Sequence, residues 1–475
     1  MPATTSGRAA DTGPDMRHAL IQIVLLLAIA GSAGAEEKSF SRARAALFKG
    51  LKSNNASDRA AAVYEIDGFD SAESARLLAR AVLGRDDRAR VIRAGIQLAG
   101  ALTSDEAVGV LVEESKKGSW QKRARILEAL GSIEHAEALS TLLLAAYDRD
   151  ARVRISAILA MEHSKDAKAM VAVGDALKSE LWPVRSAAMY VIGRMKDKDA
   201  VVALIRRLGK EGEDGRLLED AGRALRRITG KNHGIDLDKW AAWYSRSRGG
   251  EAISFGPPRE EPAVTAQLAG VKSTARRVLF VLAVNDTMNH KLVFDPDKVA
   301  PDDVKKAGGP ELKRWRSAKT KLDLARLWIA WAIDHLDPRI EFNLVTYGIS
   351  ANASFSSFIR ATPANREKAK KRVLSLSASG NANLYDGLRH IFTLTSKGPV
   401  DLDALASGPA TVFYLADGAA DEGLIKSAFE AFEEAERWNR YRQIRFHTFG
   451  IGDHDPRVLA DLAGMIPDGT MRSLP

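Results

Sequence analysis

Residues 410–418, ATVFYLADG, decide the fold of the second half of the chain. The stretch is apolar from Val412 to Ala416 and becomes polar at Asp417. An apolar run without polar alternation is typical of a strand that is buried on both faces, as central strands are in a parallel sheet covered by helices. Residues 278–284, VLFVLAV, show the same pattern. We therefore predict that these two segments are central strands of one sheet.

Further strands and helices alternate around these two segments. Two more strands are predicted at Glu341–Tyr347 and Ile444–Gly450, and helices are predicted at Lys321–Leu336, Arg366–Leu376, Leu384–Thr393, about Asp421–Tyr441 and Pro456–Met465. This alternation is typical of a doubly wound, Rossmann-like α/β sheet, whose ligands bind at the carboxyl ends of the strands. The insertion from about His290 to Ser317 follows the first strand, so we expect it at the rim of such a site.

Four segments of this half match those of a known family in order and in context. They are FNLVTYG at 342–348, GNANLYDGL at 380–388, FYLADG at 413–418 and FHTFGIGD at 446–453. Residues 275–475 therefore resemble a von Willebrand factor A domain. The resemblance implies protein binding at the top of the sheet. In that family a Mg²⁺ ion, held by a D-x-S-x-S motif, a threonine and an aspartate, typically accepts a carboxylate from the partner.

The metal-binding positions of that family are only partly retained in this chain. The leading aspartate of the motif corresponds to Ala283, its two serines to Asn285 and Thr287, the loop threonine to Ala382 and the last aspartate to Asp417. Mg²⁺ requires hard oxygen ligands in near-octahedral geometry. Two of the five positions carry no side-chain oxygen. The resemblance therefore implies a degenerate metal-ion-dependent adhesion site, and we expect neither a metal nor another cofactor.

A residual Mg²⁺ site is the alternative. Asp286 would supply a second carboxylate if it turned toward Asp417, but a motif that begins at Asp286 places Met288 and His290 at the serine positions, where they are poor Mg²⁺ ligands. Without a metal, the polar side chains at this edge are expected to satisfy backbone groups of the loops. These side chains are Asn285, Thr287, Asn381 and Asp417.

The first half, residues 39–248, has helical periodicity and an internal repeat. Its marker residues recur with a period of 31: Arg123, Arg154 and Arg185, and likewise Gly100, Gly131 and Gly193, with Glu162 at the step between the last two. One unit comprises a helix at Val184–Gly193, a polar turn and a helix at Ala200–Leu208. A single pair of helices cannot bury its own apolar face, so neighbouring units must stack. The pattern resembles short HEAT-like repeats of the PBS-lyase type, about five of them, and predicts an all-α solenoid.

Three further features complete the domain organisation. The repeat arginines are expected to pair with aspartates of neighbouring turns, such as Asp150. Leu217–Tyr244 is predicted to be a terminal cap whose aromatic side chains cover the open end of the stack. Residues 249–274 are rich in proline, glycine and charged residues and are predicted to be an extended linker. The chain is therefore predicted to be multidomain, with a helical solenoid followed by the α/β domain.

The N-terminus carries a predicted secretory signal at residues 1–35. A basic pair, Arg17-His18, precedes the apolar run Ala19–Ala30, and small residues lead to a cleavage site after Ala35. The run is shorter than the ~20 residues that span a membrane comfortably. Met16 is an alternative start of the chain, and an uncleaved anchor is the alternative to cleavage. We expect an exported protein, periplasmic or extracellular, with no transmembrane span after cleavage.

Composition narrows the classes of function. The chain has no cysteine, which excludes disulfides, thiolate metal sites and cysteine nucleophiles. Its net charge of +9 comes from basic and acidic residues that are interspersed, so nucleic-acid binding is not predicted. Motifs of zinc peptidases, serine hydrolases and P-loop proteins are absent. The triplet Asp453-His454-Asp455 directly follows a predicted strand, where a polar turn is expected.

These observations together predict a non-enzymatic binding protein. We expect an exported protein–protein interaction or scaffold protein that offers a helical-repeat surface and the rim of an A-like domain to protein partners. A metal-dependent adhesion protein that binds a partner carboxylate through residual Mg²⁺ is one alternative. An enzyme with an unrecognised site is the other, because catalytic groups can be assembled from distant positions.

Overall fold

The computed structural model of the chain describes residues 39–209, 215–247, 264–418 and 422–475. The predicted signal segment 1–35 lies outside these residues, as does most of the predicted linker 249–274. No helix within the described ranges is both long and apolar enough to cross a membrane.

The first half of the chain is helical, as predicted. Its helices are α1 (39–50), α2 (Ala56–Val63), α3 (Ala72–Leu77, continued by a π-helical turn at Leu78–Val82), α4 (Ala89–Ala99), α5 (Asp105–Ser115), α6 (Trp120–Leu130), α7 (Ala136–Ala145), α8 (Ala151–Ala160), α9 (Ala167–Ala176), α10 (Trp182–Met195), α11 (Val201–Leu208), α12 (Gly215–Thr229) and α13 (Leu237–Ser247). Side chains cap many of their N-termini. The Ser104 hydroxyl, for example, accepts the Ala107 N–H at the start of α5.

The helices pack in two layers. In one layer α2, α4, α6, α8, α10 and α12 each contact the next, and in the other layer α3, α5, α7 and α9 do the same. Buried alanine, leucine, isoleucine and valine side chains form one continuous core along this stack. Stacking of this kind is how helical pairs that cannot bury their own apolar faces become stable. The assignment of the units to HEAT-like repeats stays a prediction.

The repeated glycines lie where helices of the first layer approach each other closely. A Cβ atom added to Gly131 would lie 2.6 Å from the carbonyl oxygen of Ala160, and one added to Gly193 would lie 3.1 Å from Cα of Ala224. A Cβ atom at Gly131 would force the backbone of Ala160 to move, and one at Gly193 would make a tight contact with Ala224. The glycine period of 31 in the sequence therefore marks the contact between neighbouring units.

The repeat arginines stabilise turns, although only partly in the expected way. Arg123 forms an ion pair with Asp148, an aspartate of the following turn. Arg154 instead donates a hydrogen bond to the backbone carbonyl of Asp148, at 2.8 Å. Asp150, which was the expected partner, pairs with Arg152. The expectation of an aspartate partner is correct for Arg123 and wrong for Asp150, because Asp150 is the N-cap of α8 and binds within its own first turn.

Helices α12 and α13 cover the end of the stack. Trp240 is completely buried, and its indole N–H donates to the carbonyl of Gly234 at 2.9 Å. Its ring meets that of Trp243 edge to face, with 5.7 Å between the centroids. Because α13 packs on α11, these rings close the apolar core at this end.

The second half is an α/β sheet. Its strands are β1 (Ala266–Leu268), β2 (Val271–Ser273), β3 (Arg277–Ala283), β4 (Glu341–Tyr347), β5 (Ala351–Ala353), β6 (Ile359–Arg360), β7 (Thr411–Ala416), β8 (Arg445–Ile451) and β9 (Thr470–Leu474). Strands β1 and β2 form a separate antiparallel hairpin. The main sheet has seven strands in the order β5-β4-β3-β7-β8-β9, with β6 also beside β4. Strands β3, β4, β7, β8 and β9 are parallel, whereas β5 and β6 run antiparallel to β4.

Helices lie between these strands. They are α14 (Pro296–Val299), α15 (Asp302–Ala307), α16 (Gly309–Ser317), α17 (Lys321–Asp334), α18 (Pro363–Leu374), α19 (Leu384–Thr393), α20 (Leu402–Ser407), α21 (Ala428–Arg442) and α22 (Pro456–Gly464). The helix expected from about Asp421 begins at Ala428 instead, because the Ser427 side chain caps it there. The insertion after β3 contains helices α14 to α16, and its Trp315 is buried edge-on against Trp328.

The two halves share an interface. Helix α21 lies against α4 and α8 of the helical array, and its Tyr441 and Arg440 contact Trp120 and Glu128 of α6. Arginines of α4 and its N-cap pair there with glutamates of α21: Arg88, Arg90 and Arg93 with Glu430, Glu433, Glu434 and Glu436. A second contact joins Arg445 of β8 to Asp220 of α12 at 2.9 Å, and both side chains are buried. The halves are therefore tied together by packing and by charge, not only by the linker.

Candidate functional site

The carboxyl ends of β3 and β7 bring three of the predicted site residues together. Asn285 and Thr287 follow β3, and Asp417 follows β7, which is the neighbour of β3 in the sheet. The Asn285 amide donates to the Thr287 hydroxyl at 2.5 Å, and that hydroxyl donates to Oδ2 of Asp417. Asn285 and Asp417 are buried, at 1% and 7% exposure. The three side chains thus form a polar chain at the top of the sheet.

A fourth side chain completes this cluster, and the sequence analysis did not identify it. Lys321 is the first residue of α17, which begins at the capping residue Thr320. Its ammonium lies 3.4 Å from Oδ2 of Asp417 and donates to the backbone carbonyl of Asp453. Lys321 is only 5% exposed. The cation at this site is therefore supplied by the chain itself.

The cluster retains three of the family's five ligand positions as side chains with an oxygen atom, namely Asn285, Thr287 and Asp417. Ala283 and Ala382, which stand at two of the family's ligand positions, are buried and offer no side-chain oxygen. The carboxylate of Asp417 already interacts with Thr287 and Lys321. Across the residues that the structure describes, no group of three or more histidine, aspartate or glutamate side chains is placed to hold a metal.

The remaining polar residues of the predicted site lie apart from this cluster. Asp286 is exposed, and its backbone N–H donates to the carbonyl of Gly380 at 2.8 Å. Asn381 donates to the Glu422 carboxylate at 2.9 Å. The expectation that the polar side chains would bind loop backbone needs correction for Asn381 and also for Asn285 and Thr287. The latter two hydrogen-bond to side chains of the cluster, because Asp417 accepts there.

An open cleft of about 550 Å³ lies above the cluster. Its walls include His290, Asp453, His454 and Asp455. The His454 ring is held by the carbonyl of Gly452 at 2.6 Å and by the Ser473 hydroxyl at 3.1 Å. Asp455 caps α22 and binds Arg457, which lowers the pKa of its carboxyl. The Asp-His-Asp triplet therefore shapes a turn and a helix start, as a polar turn after a strand is expected to do.

Comparison with known proteins agrees with the fold of this half. The model of the von Willebrand factor type A domain matches residues 316–467. Inter-alpha-trypsin inhibitor heavy chain H1 of Bos taurus is 27% identical over 117 residues, which are 25% of this chain and 12% of the relative's length. The chain thus spans a small part of that relative. A von Willebrand factor A domain therefore follows the helical region, and its match begins after the segment that holds Ala283, Asn285 and Thr287.

Matches to solved structures have low sequence identity and low TM-scores. BatB from Bacteroides thetaiotaomicron is 14% identical with a TM-score of 0.28, covering 42% of this chain and 89% of that one. A von Willebrand factor type A protein from Catenulispora acidiphila is 18% identical with a TM-score of 0.29 and covers 45% of each chain. A mussel byssus protein, proximal thread matrix protein 1 with a zinc-occupied metal site, is 15% identical with a TM-score of 0.26, covering 42% of this chain and 41% of that one.

Proposed function

We propose that this chain is an exported, non-enzymatic protein-interaction or scaffold protein whose A domain binds its partner without a metal ion. A von Willebrand factor A domain supports a role in protein interaction or adhesion, and its family is mostly non-enzymatic. The ion pair between Lys321 and Asp417 is the main support for binding without a metal ion. It neutralises the retained carboxylate from within the fold, so a bound cation has no electrostatic role left to fill.

The rim of the sheet supports protein binding at this edge. Three apolar side chains are exposed on loops that follow β3, β4 and β7: Val293, Ile349 and Leu424, at 101%, 62% and 79% exposure. The loops at the carboxyl edge of the sheet thus present three exposed apolar side chains to a partner. The partner would therefore contact apolar groups around the cleft, with Lys321 and Asp417 holding its floor.

The helical array offers a second surface. Helices α4, α6 and α8 face the A domain, so the opposite layer is the one that can meet a partner. Leu144, Tyr147 and Val171 are exposed on or beside α7 and α9 of that layer, at 73%, 61% and 64%. These positions support a scaffold in which the array and the A domain each contribute a binding surface.

Affinity capture from the exported fraction of the native host tests this proposal. The full mature chain is the bait, with Mg²⁺ in one arm and a chelator in the other. We expect the same partner in both arms and loss of that partner with Ile349→Asp and Leu424→Asp combined. Ala242→Asp, at an exposed position of α13, is the matched control for a new surface charge away from both proposed surfaces. Capture that disappears only in the chelator arm would instead support the metal-dependent adhesion protein.

Export has its own test. Cleavage after Ala35 gives a mature chain that begins at Glu36. N-terminal sequencing of protein from the native host is expected to read EEKSF. A chain that retains Met16 or earlier residues in the cytoplasm would contradict export.

A further inference from the structure

A cavity of about 280 Å³ lies at the interface between the helical array and the A domain. Side chains of α4 and α6 form one wall and side chains of α21 the other. Its apolar lining includes Ile92, Ile96, Trp120, Trp438 and Tyr441. The volume is near the lower end of the range for small-molecule sites, which is about 300–1,000 Å³. The space thus suits a compact molecule.

The acidic residues around this cavity are all neutralised by neighbouring arginines. Glu128 pairs with Arg440 at 3.2 Å. Glu433 and Glu436 both pair with Arg93, at 3.1 and 2.7 Å. The remaining lining arginine of α21, Arg437, pairs with Glu434 at 2.8 Å. One charged side chain that lines the cavity belongs to none of these ion pairs.

That charge is the guanidinium of Arg125. The residue is 8% exposed, and its Nη1 donates to the backbone carbonyls of Leu83 and Asp86 at 2.7 and 2.9 Å. Within the described part of the chain it forms no ion pair, and the hydrogen bonds found for it there come from Nη1 alone. Burial lowers the pKa of Arg125 to about 10, which still leaves it charged at neutral pH. A buried cation is costly unless an anion or hydrogen-bond acceptors compensate it.

Flat apolar surfaces lie beside this charge. The rings of Trp120 and Tyr441 meet edge to face, with 5.2 Å between the centroids. The Arg152 guanidinium covers Trp120, with its Cζ 4.0 Å from the ring centroid, and holds that ring in place. Aromatic and isoleucine walls around one unpaired cation are complementary to a molecule with a flat apolar body and one anionic group.

We propose that this cavity binds a small organic monocarboxylate, with its carboxylate on Arg125 and its apolar body among Ile92, Ile96 and the aromatic rings. A guanidinium and a carboxylate form strong, charge-assisted hydrogen bonds, frequently two at once. Because the walls belong to both halves of the chain, a bound carboxylate would also stabilise the interface between them. This site is independent of the rim at the top of the A domain, so the two proposals stand or fall separately.

The test is calorimetric titration of the full mature chain with benzoate, phenylacetate and indole-3-acetate. Benzamide and benzylammonium serve as neutral and cationic controls. We expect saturable binding of at least one carboxylate below about 10 mM, accompanied by a higher melting temperature. The matching neutral amide should bind at least about tenfold more weakly, because it loses the charge-assisted contact. Absence of binding by all three carboxylates, or equal binding of acid and amide, would overturn the proposal.

Variants then locate the binding site. Arg125→Gln should abolish carboxylate binding, whereas Arg123→Gln, whose arginine pairs with Asp148, should leave it unchanged. If Arg125→Gln fails to fold because Leu83 and Asp86 lose their donor, Ile96→Trp fills the cavity without touching that charge. Ile96→Trp is expected to fold and to lose binding. Unchanged affinity in folded Ile96→Trp would place the carboxylate elsewhere and refute the assignment.

Discussion

The ammonium of Lys321 lies 3.4 Å from Oδ2 of Asp417, and both side chains are about 6% exposed. The lysine opens helix α17, and the aspartate follows strand β7, so their contact joins two elements at the top of the sheet. Breaking a buried pair by removing one partner leaves the other charge uncompensated.

The first prediction concerns the coupling of this pair. Lys321→Met and Asp417→Asn should each lower the free energy of unfolding by about 3 kcal/mol, because each leaves a buried charge. The double variant should lose clearly less than the sum of the two, measured by denaturant unfolding. Lys319→Met removes an exposed lysine nearby and should stay within about 0.5 kcal/mol of the parent. Additive losses in the double variant would show that the two charges do not interact.

A second prediction compares two glycines of the helical array. Gly131→Ala places a Cβ 2.6 Å from the Ala160 carbonyl oxygen and should destabilise the chain by about 1–3 kcal/mol. Gly174 lies inside α9 with no atom within 4 Å of an added Cβ. Gly174→Ala should therefore stabilise by about 0.5–1 kcal/mol through helix propensity. Thermal or denaturant unfolding measures both, and equal effects would argue against the close packing of neighbouring units.

The third prediction concerns pH. Burial, aided by the charge of Arg216, lowers the pKa of His447 from 6.5 to about 4. The folded state therefore binds fewer protons than the unfolded state, so this stabilisation is complete above pH 6.5 and is lost as the pH falls toward 4. The loss attributable to His447 is at most about 3 kcal/mol. Unfolding measured across this range should show a weaker pH dependence in His447→Gln, and an identical dependence would contradict the assignment.

The fourth prediction concerns the interface between the halves. A specific protease site inserted within residues 249–262 lets the linker be cut after folding. The two fragments should remain associated on size exclusion at low salt, because α21 packs on the array and Arg445 pairs with the buried Asp220. Asp220→Asn removes that pair and should promote separation. Fragments that separate at once in the parent chain would mean that the linker alone holds the halves together.

Sequence reasoning found the central strands because each is a continuous apolar run. Strands β3, β4, β7 and β8 lie within one residue of their predicted positions. The edge strand β9, TMRSL, is largely exposed and has no continuous apolar run. The sequence therefore did not predict this strand. The hairpin β1–β2 was included in the predicted linker. Its strands have three residues each, and its turn depends on positive φ at Ala269 and Gly270.

The sequence motifs predicted only those residues of the candidate site that lie within the motifs. The segments around Asn285 and Asp417 identified their positions, since they directly follow predicted strands. Lys321 was missed because it belongs to a helix, and only the packing of α17 against the sheet brings its ammonium to Asp417. The unpaired charge of Arg125 could not be predicted from the sequence either. It depends on which carboxylates the arginines of neighbouring helices neutralise, and only the packing of the helices determines that.

Mg²⁺ titration monitored by melting temperature tests most directly whether Lys321 takes the place of a metal ion at this site. Ala283→Asp with Ala382→Thr restores two ligands and should still ignore Mg²⁺ while Lys321 is present. Adding Lys321→Ala to that pair should produce a Mg²⁺-dependent rise. For the parent chain we expect no shift of the melting temperature at about 1 mM Mg²⁺. A site with a Kd near about 10 µM would add about 2.7 kcal/mol there, and such a rise, lost in Asp417→Ala, would contradict the account.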